Sequence, residues 1–356
     1  APMAEALDDA LRLGWISSLM STHHFMMGEP DRAIACAQRA LALATVCEDV
    51  TLQVDAQLHL GQAYHAVGDY RQAIAGLKQN VVCLDDILRQ DQVEAVTPFG
   101  IHSLPWLIMC LAETGAFSEA MTYAEQALRI AAAGEVPYEL VAVYGAVGVL
   151  HVRQGELPQA RAMLERGLSL CQSAGIPHLF PTLAAHLGAV YALSGRLAEA
   201  LPLLEQAVTQ GAAMRLMVYH GLAVVGLSQA YLLAGRPDEA RAQAWRALEL
   251  CQTHQERGHQ AWALQLLGDI AAHRDPPEIE SAEAFYQQAL SRANELGMHP
   301  LLAHCHLGLG TLYSHVEGRG EPARLELSAA IALFRSLPMP FWLPPAEAAL
   351  AQVAEI

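Results

Sequence analysis

A glycine followed five positions later by an alanine returns about every forty residues along this chain, and that spacing limits what it can fold into. The pairs are Gly28/Ala33, Gly68/Ala73, Gly115/Ala120, Gly155/Ala160, Gly195/Ala200 and Gly235/Ala240. Two weaker copies follow. Ala282 has the turn Asp275–Pro277 in place of its glycine, and Gly318 precedes Ala323. Successive alanines lie 40, 47, 40, 40, 40, 42 and 41 residues apart. A period in this range marks stacked supersecondary units, each burying its apolar face against its neighbours.

Each copy reads as a helix ending at the glycine turn and a second helix beginning just after it. Residues three and four apart share a helix face. Ala240, Ala244, Ala247 and Leu248 therefore form one packing stripe, and Ala200, Leu204, Ala207 and Val208 another. The first helix has its own signature, L-G-x-x-Y, complete at Leu60-Gly61 with Tyr64 and at Leu187-Gly188 with Tyr191. Partial copies are Gly148, Leu227 with Tyr231, Leu267-Gly268, and Leu309-Gly310 with Tyr313. Glycine there lets the partner helix approach, and tyrosine fills the gap between pairs. Ser21, Ile108 and Ser228 replace that glycine in three copies, where slightly wider interfaces are expected. Hydrophobic residues make up 53% of the chain but aromatics only 6%, so Ala, Leu and Val carry the core, and alanine and leucine favour helix. The expected fold is an all-α solenoid of about eight helix pairs spanning 1–356 as one domain, with residues 341–356 as a capping helix behind Phe341-Trp342-Leu343-Pro344-Pro345.

L-G-x-x-Y, G-x-x-x-x-A and the spaced small residues resemble the tetratricopeptide repeat, here lengthened to about forty residues. A narrower resemblance covers the last hundred residues. ESAEAFYQQALSRANELGMHPLLAHCHLGLGTLY and PMPFWLPPAEAAL are similar to the C-terminal region of bacterial signalling proteins that join a class III adenylate or guanylate cyclase to an AAA-type (STAND-like) ATPase and a helical array. GEPDRAIACAQRALALA and LGQAYHAVGDYRQAI fit the same family. That resemblance implies a sensor array whose cyclase or ATPase activity would lie outside this chain. The opening APMAEALDDALRLGW, helical in pattern and without an initiating Met, reads as a piece of a longer polypeptide.

The chain carries 37 acidic against 21 basic residues, a formal net charge of −16, and Lys78 is its one lysine. No basic stripe exists to neutralise phosphates, so neither nucleic acid nor an anionic membrane is an expected partner. No G-x-x-x-x-G-K-[ST], nucleophile elbow, HExxH or Gly-rich dinucleotide turn occurs. The expectation is a non-enzyme without cofactor or metal. His304-Cys305-His306 and His23-His24 place adjacent side chains in different directions on a helix and cannot converge on one ion. Asp85, Asp86 and Asp91 read as solvated carboxylates. The seven cysteines form no CxxC pair and read as reduced thiols in a cytoplasmic protein.

The tetratricopeptide resemblance implies that the first helix of each pair lines a concave groove. Aligning the copies on the close-contact position assigns Trp15, Thr22 and Phe25 to it, then His59, Gln62 and His65, then His102, Trp106 and Met109, then His186. Later copies supply Gln229, then Trp262, Gln265 and Asp269, then His304, Thr311 and His315. The groove is apolar and histidine-rich in its N-terminal half, with little fixed charge. Such a surface suits capture of a protein or peptide, including other domains of the same polypeptide. The expected function is a sensor or interaction module regulating attached signalling domains. The alternative is a structural array that self-associates, as a homodimer for example.

Overall fold

The computed structural model describes residues 9–89 and 97–354, with side chains for 9–84 and 101–353. Among these residues are seventeen α-helices and no strand. The first helices of the eight pairs are α1 (Ala10–Met26), α3 (Val50–Val67), α5 (Thr97–Thr114), α7 (Pro137–Gln154), α9 (Phe180–Leu193), α11 (His220–Leu233), α13 (Arg257–Ala272) and α15 (His299–Ser314). The second helices are α2 (Pro30–Val46), α4 (Tyr70–Arg89), α6 (Phe117–Gly134), α8 (Leu157–Ser173), α10 (Leu197–Ala213), α12 (Pro237–Thr253), α14 (Ile279–Leu296) and α16 (Gly320–Ser336). A last helix, α17 (Leu343–Ala354), packs against α16 and α15. Among the described residues no helix is long and apolar enough to cross a membrane. Asp91 and the side chains of Asp85 and Asp86 lie outside what is described, as do residues 1–8 of the helical opening.

The anchor alanines explain the period. All eight, from Ala33 to Ala323, are fully buried at 0% exposure. The residue four positions after each anchor meets the close-contact position of the preceding helix. Where that position is glycine, the space a Cβ would need is already filled. It would lie 2.6 Å from Leu77 at Gly61, 2.5 Å from Leu164 at Gly148, 2.5 Å from Leu204 at Gly188, 2.7 Å from Tyr286 at Gly268 and 2.6 Å from Leu327 at Gly310. In the three copies lacking this glycine, the corresponding second-helix residue is an alanine: Ala37, Ala124 and Ala244. Bulk is therefore traded across the pair, which offsets the wider interfaces expected from Ser21, Ile108 and Ser228. Both serines also donate to the anchor's own carbonyl, Ser21 Oγ to Ala33 O at 2.8 Å and Ser228 Oγ to Ala240 O at 2.7 Å.

The tyrosines do more than fill gaps. Tyr191 donates to Glu165 at 2.9 Å, Tyr231 to Glu205 at 2.9 Å and Tyr313 to Glu283 at 2.8 Å, each glutamate standing on the second helix of the preceding pair. An arginine from the following turn lies over each ring, Arg196 and Arg236 at 4.3 Å and Arg319 at 4.9 Å. Each latch thus combines a charge-assisted hydrogen bond with a cation–π contact.

The superhelix closes on itself. Helix α13 contacts α3, and α15 contacts α5, so five pairs complete one turn. The joint is built from carbonyls at the ends of first helices, which have no partner inside their own helix. Met26 O accepts from the Met217 amide at 2.9 Å, and Gly28 O from His254 Nδ1 at 2.9 Å. Val67 O accepts from Arg257 Nε at 2.9 Å, and Thr114 O from His299 Nδ1 at 2.8 Å. A carbonyl only accepts, so Nδ1 of both histidines carries the proton. The fourth turn, at Gly155, meets Phe341 and Trp342 ahead of the capping helix.

The turn glycines register this joint. A Cβ on Gly155 would lie 2.7 Å from Phe341 Cβ, whereas one on Gly195 would meet nothing within 4 Å, although their φ values are nearly equal at +80° and +76°. Gly195→Ala should cost roughly 1–2 kcal/mol, the price of a left-handed alanine. Gly155→Ala should cost at least about 1 kcal/mol more, because it also overpacks the joint. Urea melts of the two variants measure the difference; equal losses would mean the fourth turn is as open as the fifth.

Candidate functional site

Closure turns the concave groove into a cavity of about 420 Å³. Its walls come mainly from first helices, with Leu216, Val218, Tyr219 and the segment around His178 completing them. Nine of the residues assigned to the groove from sequence line it: Thr22, Phe25, His59, Gln62, His65, His102, Trp106, Met109 and His186. Trp15, Gln229, Trp262 and Gln265 lie outside it. Trp15 packs against Ala40, Ala44, Leu52 and Ala56. Gln229 is half-buried on α11. Gln265 donates to Asp269 at 2.6 Å, and Asp269 also accepts from Tyr286. His304 packs among Trp262, Phe334 and Trp342, while His306 pairs with Glu326 at 2.5 Å.

One end of the cavity is an aromatic cluster drawn from distant pairs. Phe25 meets Trp106 edge to face at 5.6 Å, and Tyr219 stacks on Trp106 at 6.0 Å. Tyr219 also shares a 2.9 Å hydrogen bond with His65 Nδ1 and meets His259 edge on at 5.2 Å. Its backbone is left-handed, at φ +61°, a costly state for a bulky residue. Glu256 holds it there, accepting the Tyr219 amide at 2.8 Å through one oxygen and His259 Nδ1 at 2.9 Å through the other.

Among the described residues two carboxylates line the cavity, and both are engaged. Asp55 accepts from Ser18 and lies 3.4 Å from His59 Nε2. Burial opposes a charge on His59, but its bond to Asp55 and that residue's charge outweigh burial and raise its pKa. Glu113, 4% exposed, pairs with Arg153 at 2.6 Å and accepts from Trp262 Nε1 at 3.1 Å. Burial alone would raise the Glu113 pKa, yet Arg153 reverses this and holds it below the usual range. The Arg153 guanidinium lies 4.3 Å over the Trp262 ring. Trp262 therefore ties the seventh pair to the third and fourth.

Several of these residues escaped the sequence alignment: Asp55, Glu113, Tyr138, His178, Tyr219, His220 and His259. Two left a signal. Asp55 stands one turn before His59 on the same face, and Glu113 and Arg153 are opposite charges forty residues apart, at equivalent places in adjacent copies. Tyr219 left none, because it lies in a loop between pairs.

Burial pushes both His65 and His186 down to about 3, so each is neutral at pH 7. An unfolded histidine takes its proton near pH 6.5, roughly. The folded form thus binds fewer protons below that pH; stability is full above about pH 6.5 and drains away as pH falls toward about 3. Urea melts at several pH values should show this acid slope and a shallower one for His65→Gln; an unchanged slope would mean that His65 is protonated in the folded protein.

No curated protein matches the chain in sequence. Among solved structures, it is similar to the Rap conjugation gene regulator of plasmid pLS20 in complex with the Phr* peptide (TM-score 0.64, 15% identity, 92% of this chain and 96% of that one). It is similar to a Rap protein complexed with Competence and Sporulation Factor (TM-score 0.60, 13% identity, 96% and 97%). It is also similar to NprR in complex with its cognate peptide NprX (TM-score 0.52, 13% identity, 85% and 82%). At these identities the likeness is one of fold. The model of the MalT-like TPR region matches residues 14–220, more than half of the sequence, and the chain belongs to that family of tetratricopeptide-repeat regions.

Proposed function

We propose that this array is a sensor, taking a ligand into its interior cavity and passing occupancy to signalling domains attached to it. One observation carries the reading: residues from both ends of the array converge on one interior space. Phe25 of the first pair, Trp106 of the third, Tyr219 before the sixth and His259 of the seventh share a single cluster. A ligand touching that cluster acts on the whole superhelical turn, and hence on whatever is fused to either end. The structural neighbours support it, since two are described as complexes with peptides and the third as a complex with Competence and Sporulation Factor. The attached domains follow from the sequence resemblance to cyclase–ATPase signalling proteins, in which catalysis lies outside the array.

The test is native mass spectrometry of the chain after exposure to a filtered cell extract, beside Trp106→Ala and His65→Ala. The wild type should retain a ligand that both variants lose at least tenfold. Retention of nothing, or of species equally abundant on all three proteins, would contradict the reading.

A further inference from the structure

The cavity's charge and hydrogen-bonding chemistry narrow what it can hold, given the sensor reading above. Among the described residues no lysine or arginine lines it. A ligand anion would lose its water, at a large cost, and find no unpaired cation in return, since His59 is held by Asp55. A ligand cation fares little better. Asp55 is already engaged by Ser18 and His59, and Glu113 by Arg153 and Trp262.

What the walls do offer is aromatic surface and neutral polarity. Phe25, Trp106, Tyr138 and Tyr219 present rings, and Met109 a polarisable thioether. Neutral polarity comes from His65, 5% exposed and lining the cavity, whose Nδ1 shares a hydrogen bond with Tyr219. The volume, about 420 Å³, falls within the range of roughly 300–1,000 Å³ seen for small-molecule sites.

We infer that the cavity binds an uncharged, aromatic small molecule, its rings packed against Trp106 and Phe25. Charged ligands, including short peptides with free termini, are disfavoured by the same walls.

A matched pair of fluorescent probes tests this. N-phenyl-1-naphthylamine is uncharged; 8-anilinonaphthalene-1-sulfonate has the same rings and a sulfonate. The uncharged probe should bind saturably, one per chain, and at least tenfold more tightly than the sulfonate. Ala142→Phe should weaken it at least tenfold, because it fills the cavity without removing a wall contact. Met109→Trp is the second filling variant, and thermal melts by circular dichroism confirm that each is folded. Equal or tighter sulfonate binding, or uncharged binding that neither filling variant reduces, overturns the inference. If charged peptides alone occupy the cavity, the inference falls and the sensor reading stands; if the extract experiment also yields nothing, both fall.

Discussion

A helix leaves its last carbonyls without partners of its own, and in this molecule that deficit closes the superhelix. The first helices of pairs one, two and three end in Met26, Val67 and Thr114, whose carbonyls are satisfied by groups five pairs further along. Arg257 and His299 suit the task, since donors that carry or can carry positive charge favour the negative end of a helix dipole. Arg257 is also held by Glu295 at 3.0 Å, which fixes the guanidinium in place. Without these bonds the stacked pairs would still form, because each interface is sealed by alanine anchors and paired bulk. They would form an open spiral with a groove, and the groove would have one wall.

The cavity follows from that closure, and its chemistry follows from the burial of its walls. His65 and His186 stay neutral, the carboxylates find internal partners, and Arg153 beside the cavity is paired with Glu113 and stacked on Trp262. Tyr219 sits where these requirements meet. Its strained backbone depends on Glu256, its ring on Trp106 and Phe25, and its hydroxyl on His65. Four helix pairs therefore share one cluster.

The repeat itself was legible from sequence, because packing writes itself into side-chain size. Gly61 opposite Leu77 and Ile108 in a copy with Ala124 are two solutions to one volume constraint, and both leave a periodic trace. The first-helix alignment also placed Phe25, His65 and Trp106 on the cavity side. Closure was not legible. It joins side chains to backbone carbonyls 185 to 226 residues away at Thr114, Val67 and Gly28, and any residue supplies a carbonyl. For the same reason Trp262 read as a groove aromatic when it is a tie to Glu113, and Tyr219 was invisible in its loop.

Small-angle X-ray scattering from the purified chain tests the central claim of closure most directly. The account predicts a compact profile, fitted by the closed superhelix with pairs six to eight lying on pairs one to three. A larger radius of gyration, with the profile of an extended open spiral, would contradict it.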